Sequence, residues 1–349
     1  MIYRVLLDGQ SIFAYTDELL LISPSLEIEL NAAGSFSFKM PYEHKYYSMP
    51  KLMTSDVEVY EDGDLIWYGR VSEIDDEDMN RDKSIYCEGA LAFFNDTIQR
   101  PWAYQETTVH DFFNLLIDRH NDYAPANRQF TVGEITVTNY TINKQITDYQ
   151  TTKDVILKEC IDVYGGYLNF RKEEGVNYID WFSAVTAIAP QPIQYALNLV
   201  KLSKFLRGSS IYTSIIPLGK EVDGAKITIV EVNEGHDYLD SDLISTYGRI
   251  TKVVEWTNVG EANELLLYAE RWLTSQQFNT LAIECNAAEL YYLDNSYQPF
   301  RVGQQVHVVS DPHVVDVYLP ITKISIDLDN PVKNVSIGSQ DATEFTEMV

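Results

Sequence analysis

The chain has 349 residues, 45% hydrophobic and 22% charged, which at roughly 100–200 residues per domain predicts two or three globular domains and excludes disordered or collagen-like classes. Fifty-two acids against 26 Lys and Arg leave a net charge of −26, so phosphate backbones and anionic lipids are repelled and tight nucleic-acid wrapping is disfavoured. Cys87, Cys160 and Cys285 are odd in number and far apart, which leaves no disulfide framework or CxxC metal knuckle; they read as small buried apolar residues. The N-terminus lacks a basic start, a long apolar stretch and a small-residue cleavage site, and no window approaches the ~20 apolar residues that cross a bilayer, so neither an export signal nor membrane insertion is expected.

The first hundred residues are patterned as antiparallel β-structure. Leu26, Ile28 and Leu30 alternate with Glu27 and Glu29, and Phe36 and Phe38 with Ser35, Ser37 and Lys39, giving strands with one wet face. Asp62-Gly63 lies between Val57, Val59 and the run Leu65 to Val71, a tight-hairpin signal that predicts a hairpin over residues 56–71 because both turn positions need positive φ. A small barrel or sandwich over residues 1–98 is the economical result.

Residues 99–195 have a different texture. Thr108 with Asp111 is a helix start followed by Val109, Phe112, Phe113, Leu116 and Ile117 on one side. Thr151 with Asp154 starts a second helix carrying Ile156, Leu157, Cys160, Ile161, Val163 and Tyr164, and Gly165-Gly166 stops it. Residues 131–141 alternate as a strand, and residues 167–170 and 178–182 flank a polar turn at 172–175, completing an α+β block closed by Pro190 and Pro192. Strands return over residues 196–349 around one helix near 260–277, whose stripe of Ala262, Leu265, Leu266, Ala269, Trp272 and Leu273 covers a sheet face. Strands near 196–217 are also compatible with a return to the first barrel. The expected fold class is therefore α+β, mainly antiparallel and multidomain.

An internal echo joins the two ends. Residues 56–60, a turn and residues 66–75 resemble residues 305–309, a longer turn and residues 319–327. Alternation is common to all antiparallel hairpins, so pattern alone does not separate duplication from a shared motif.

The most enzyme-like cluster is His307, Asp311 and His313, whose nitrogen and oxygen atoms suit zinc. It resembles the start of a peptidoglycan metallopeptidase ligand set, but that set needs a later His-x-His pair and no histidine follows His313. His307 also lies in an alternating strand, where a structural residue is commoner. The acidic run 75–82 invites a calcium reading, yet Arg81 stands at the required glycine and Cys87 at the bidentate acid, which favours a solvated hairpin tip. No nucleophile elbow, phosphate loop or dinucleotide fingerprint is present, and Glu173-Glu174 is an adjacent pair in a polar turn. No catalytic residue, metal or cofactor is assigned. The 24 tyrosines and five tryptophans favour strands and interfaces without choosing a ligand.

The segment Tyr86-Cys87-Glu88-Gly89-Ala90-Leu91-Ala92-Phe93-Phe94-Asn95-Asp96-Thr97, followed by Gln99-Arg100-Pro101, resembles a signature of the prophage endopeptidase tail family. The likeness continues through residues 112–121, 130–133, 149–152, Gly165-Gly166-Tyr167-Leu168, 247–250, Ser310-Asp311-Pro312-His313 and 324–328, with one departure at Val314-Val315, where a glycine is usual. The resemblance implies structural roles for Cys87, Glu88, Gly89, Asn95, Asp96, Gly165, Gly166, Pro312 and His313. It further implies a baseplate hub at the virion tail tip: a homotrimer closing the distal end of the tail tube, with two related β-barrel-like tube domains per subunit (1–98 and 196–349) and an α+β outer domain (99–195). Implied partners are the distal tail protein, the tape-measure protein and other baseplate proteins, passing DNA without sequence-specific binding, and the host cell wall. Two units in each of three chains would let a threefold hub stack on a sixfold tube. Hydrolytic activity in longer relatives lies in additional C-terminal domains, and this sequence stops at Val349 soon after the last strand, so the expectation is a structural protein and not an enzyme. A wall endopeptidase and a wall-binding adhesin are the alternatives.

Overall fold

The structure is a computed structural model that describes residues 3–14, 17–76, 81–139, 141–205, 211–257, 259–279, 282–292, 294, 297–330 and 332–337. The acidic tip at 77–80 lies outside the described residues, so the calcium reading of that loop is not addressed by it.

The first part of the chain supplies seven strands: β1 (Tyr3–Leu7), β2 (Gln10–Phe13), β3 (Ile22–Glu29), β4 (Ser35–Met40), β5 (Asp56–Glu61), β6 (Asp64–Asp76) and β7 (Lys83–Gly89). The Asp-Gly hairpin forms as expected, with φ of 51° at Asp62 and 99° at Gly63, and β6 runs five residues past the predicted end, to Asp76.

A middle block follows, with β8 (Trp102–Thr108), α1 (Val109–Asn121), β9 (Thr131–Ile135), β10 (Thr141–Ile146), a helix α2 and the hairpin β11 (Tyr167–Glu173) and β12 (Val176–Phe182). α2 consists of Thr152–Val155, a π-wound Ile156–Ile161 and Asp162–Tyr164. Both caps are made as the sequence predicts: Thr108 accepts from the Asp111 amide and Thr151 from the Asp154 amide. Residues 131–141 are not one strand. β9 stops at Ile135, where its run parallel to β12 ends, and β10 pairs instead with β8; only β10 buries every other side chain, whereas β9 is half-exposed throughout, so sequence alternation over this stretch does not report the change of partner.

The remainder supplies β13 (Leu199–Phe205), β14 (Ser214–Leu218), β15 (Thr251–Glu255), α3 (Ala262–Asn279), β16 (Ala282–Ala288), β17 (Gln304–Ser310), β18 (Val315–Asp327) and β19 (Val332–Ile337). β14 and β15 run parallel, with Leu239–Asp240 on the other edge. α3 covers this small sheet, burying Ala269 and Leu273 with Ile215. The excursion packs on the middle block: Ile229, Val259, Leu265 and Tyr268 share one core with Phe112, Phe113, Ile156 and Trp181.

The large sheet unites both ends of the chain, in the order β13-β16-β19-β18-β3-β4-β7-β6-β5-β1-β2, with β17 beside β18. Strands β3 to β7 and strands β13, β16, β17, β18 and β19 repeat one topology. In each set the third and fourth strands form a hairpin, the fourth pairs with the fifth, the fifth with the second and the second with the first. The fourth strand is 13 residues long in both and carries a register shift at the equivalent place, between Val71 and Glu73 and between Ile321 and Lys323. A bulge bends a strand and changes which neighbour it can reach. The proximal half therefore serves the hairpin and the distal half serves the fifth strand. This answers the question left by the sequence echo in favour of a repeated unit. The architecture is α+β and mainly antiparallel as expected, but no closed barrel forms within the chain; among the described strands the path is open at β13 and β2.

One buried cation fixes the middle block to the excursion. Lys144 on β10 lies 3.1 Å from Glu159 on α2 and 2.9 Å from Glu264 on α3. Burial alone would depress its ammonium, yet Tyr164, Tyr268, Glu264 and Glu159 together raise it above the ordinary lysine value. Removing one partner of a buried pair strands the other charge. Lys144→Ala is expected to lower unfolding free energy by about 3–5 kcal/mol, read as a lower urea midpoint, whereas replacement of the exposed Lys51 should stay within about 0.5 kcal/mol.

Candidate functional site

The signature segment 86–97 turns out to be a structural joint. Cys87 is buried in β7. Gly89 follows, and a methyl group there would overlap the Ala33 carbonyl oxygen, so glycine is required for backbone approach. A 3-10 turn, Ala90–Asn95, then buries Leu91, Phe93 and Phe94 in the core of the middle block. Glu88 and Asp96 both grip Arg70 of β6, Glu88 at 2.7 Å and Asp96 bidentately. Phe93 lies between two guanidinium groups, Arg70 at 5.2 Å and Arg128 at 4.4 Å from the ring centroid. Thr97 ends the joint with its hydroxyl 2.7 Å from His120 Nδ1 and 2.7 Å from Thr152 Oγ1, tying α1 to α2. Burial first and foremost lowers the His120 value, as a neutral buried imidazole requires.

Gly165 and Gly166 end α2 at φ of 67° and 83°. A methyl on Gly166 would meet the Phe182 carbonyl, while Gly165 offers its own carbonyl to Trp181 Nε1 at 2.9 Å. These glycines place a turn.

The three candidate zinc residues are spread over different partners. His307 on β17 lies 2.7 Å from Asp316 Oδ1 and stacks on Tyr318 at 4.5 Å. His313 Nδ1 lies 2.7 Å from Ser310 Oγ, and Asp311 and Pro312 open the short turn Asp311–His313. Among the described residues no group of three His, Cys, Asp or Glu is placed to hold a metal. Val314, at the position where the sequence departs from the expected glycine, takes φ of 51°, the left-handed conformation that glycine adopts at least cost.

Sequence reasoning missed the charged groups buried between the two ends of the chain. Lys333 on β19 lies 2.8 Å from Glu61 on β5 and 3.0 Å from Glu289. Arg301 reaches Glu61 as well, and the Tyr3 hydroxyl donates to it at 2.9 Å. Gln191 and the Phe300 amide complete the shell of Glu289. Two carboxylates meet two cations, so the site is neutral and hydrogen-bonded, which is what a buried ionic tie needs. No local sequence signal marks a lone Lys in an alternating strand as such a tie.

A groove of about 680 Å³ between the β5–β6 and β11–β12 hairpins is lined by Glu58, Tyr60, Tyr68, Phe170, Arg171 and Lys172. Its aromatic and charged groups already serve one another: Tyr68 stacks on Phe170 at 5.8 Å, and Lys172 holds Glu58 at 2.8 Å while lying over the Tyr68 ring. What the fold leaves open is backbone. Among the described residues β13 ends the sheet path, and the distal half of β6 is paired on one side only, with β7. The candidate functional site is accordingly this pair of open strand edges.

The prophage endopeptidase tail family matches residues 189–339, which bears out the family resemblance over that stretch; the signature at residues 86–97 lies outside it. No curated protein matches the sequence. The 43 kDa tail protein of prophage MuSo2 from Shewanella oneidensis is similar in fold, with a TM-score of 0.69 at 11% identity over 98% of this chain and 99% of that one. Prophage tail protein gp18 from Listeria monocytogenes gives 0.64 at 15% identity over 100% and 97%. The E. coli c3393 protein, a type VI secretion component with structural similarity to the T4 tail proteins gp27 and gp5, gives 0.53 at 10% identity over 92% and 74%.

The buried tie makes stability depend on acid. Burial pushes the Glu61 carboxyl up, but Lys333 and Arg301 outweigh it and hold the value below the ordinary 4.5. A depressed carboxylate stabilises the fold above its unfolded pKa and loses that contribution as pH falls through the folded value. The urea midpoint is therefore expected to hold from pH 7 to about pH 5 and to fall below about pH 4, while Glu61→Gln lowers it at pH 7 and flattens the acid limb.

Proposed function

We propose that the chain is a structural component of a phage tail: a baseplate hub subunit that forms a homotrimer around the tail axis, closes the distal end of the tube and lines part of the route by which DNA leaves. The observation that carries this reading is the repeated five-strand unit. A chain with two such units contributes two sectors to a ring, and three chains contribute six, matching a threefold part to a sixfold tube. The fold likeness to prophage tail proteins and to a secretion component similar to gp27 and gp5 supports it.

The net charge of −26 fits the same role. Basic side chains lining a bore would bind phosphates with counterion release and arrest the DNA, whereas an acidic or neutral wall lets it slide. In this reading residues 1–98 and 196–349 supply the tube domains, and residues 99–195 stand outside them. The partners are then the distal tail protein on one side, the tape-measure protein within the tube and further baseplate proteins, with the host cell wall met only through the assembled tip. The chain's work is geometric, and it breaks no bond.

Immunogold labelling of intact particles with antibody to this chain is expected to mark the tail tip. The purified chain is expected to give three times the monomer mass in light scattering and to release no fragments from murein. Label on the capsid or along the tail, or murein cleavage by the purified chain, would contradict the proposal.

A further inference from the structure

The repeated unit contains one seam made within the chain and a second place where the same seam is absent. Within the chain, β3, the first strand of the first unit, pairs antiparallel with the distal half of β18, the fourth strand of the second unit, from Ser25 opposite Asp327 to Glu29 opposite Lys323. The equivalent strands are β13 and the distal half of β6. Among the described residues neither has a partner along the corresponding edge. We propose that β13 of one copy adds to the Glu73–Asp76 edge of β6 in a second copy of this chain, repeating between subunits the seam that β3 and β18 make inside one.

Three independent features support this. First, the edge of β6 is prepared in the same way as that of β18. The Met53 amide bonds the Val71 carbonyl at 2.8 Å, and at the equivalent point the Gly303 amide bonds the Ile321 carbonyl at 3.1 Å. Met53 and Gly303 both have positive φ, 61° and 82°. Beyond that point the two edges differ. The Leu30 amide continues onto Thr322 and β3 follows, whereas Glu73, Asp75 and Asp76 are left exposed. A bare strand edge is a template for another strand.

Second, the charges are complementary. The open stretch of β6 carries Glu73, Asp75 and Asp76, the last 3.7 Å from Lys83 of its own chain, and β13 carries Lys204. The seam within the chain uses the opposite arrangement, with Lys323 on the fourth strand 3.1 Å from Glu27 and 3.9 Å from Glu29 on the first. Opposite signs on the two kinds of seam keep β3 from competing for β6, where its Glu27 and Glu29 would face acids. Third, exposed apolar side chains flank both edges, Leu197 and Val200 beside β13 and Leu52 and Met53 beside β6.

The repeat also fixes the register. Leu26 lies in one cross-strand row with Phe36, Cys87 and Val71, and Lys204 in the equivalent row with Ile283, Ile337 and Ile321. Asp76 opposite Lys83 matches Ile326 opposite Lys333. Since Leu26 pairs with Ile326, Lys204 of one copy stands opposite Asp76 of the next. Such a contact is head-to-tail and continues until the ring closes.

This inference rests on the hub reading, and one experiment separates the two. The full chain carrying Asp76→Cys and Lys204→Cys is oxidised mildly; its natural thiols, Cys87, Cys160 and Cys285, are buried. Covalent oligomers are expected from the double variant, and only background from either single variant or from Asp76→Cys combined with Val200→Cys, which lies about 13 Å out of register. Lys204→Glu should weaken association about three- to fivefold per seam, with recovery on adding Asp76→Lys. A sample that light scattering shows to be trimeric but that yields no cross-link overturns the seam and leaves the hub intact. A chain that stays monomeric at every concentration and in isolated tails overturns both.

Discussion

Backbone groups at the edge of a sheet either find a partner or remain in water, and the pairing of β3 with β18 is where this chain resolves the choice. Through that one ladder the strands near the N-terminus and those near the C-terminus become a single sheet, although the residues it joins lie almost the full chain apart. Loop closure over such a separation is entropically costly, and the ladder is reinforced accordingly: Ile324, Ile326 and Leu26 are buried on one face, and Lys323 pairs with Glu27 and Glu29 on the other. The buried Glu61–Lys333 pair crosses between the same two parts. Ionic ties of this kind contribute little net stability against apolar replacements but disfavour any other registration, because a slip would strand charge in the core.

The middle block follows a different logic. It is held by a continuous aromatic and aliphatic core, into which the 90–95 turn inserts Leu91, Phe93 and Phe94, and by Lys144, which gathers carboxylates from two helices. The signature segment thus serves as the hinge pin between sheet and block, with Gly89 permitting the close approach and Arg70 binding Glu88 and Asp96. Its sequence is specific because each of these requirements excludes most other residues at that position.

Much of the local structure was legible in the sequence, since hairpin and caps are encoded within a few residues: Asp62-Gly63, Thr108 with Asp111, and Thr151 with Asp154 each determine their own geometry. The buried cations were not legible. Lys144 and Lys333 occupy ordinary alternating strands, and their partners come from elements distant in sequence. The repeat was only half visible, because the two units conserve pairing and bulge position but not side chains: Glu73 matches Lys323, and Asp76 matches Ile326. Those exchanges accompany the difference between the two edges: that of β18 is covered by β3, whereas that of β6 is bare among the described residues.

Amide hydrogen exchange of the free chain and of isolated tails tests this account most directly. In the free chain, peptides covering Lys323–Asp327 should be protected while those covering Glu73–Asp76 and Leu199–Lys204 exchange at the rate of an open edge; in tails, all three should be protected. Rapid exchange at Glu73–Asp76 that persists in tails would contradict it.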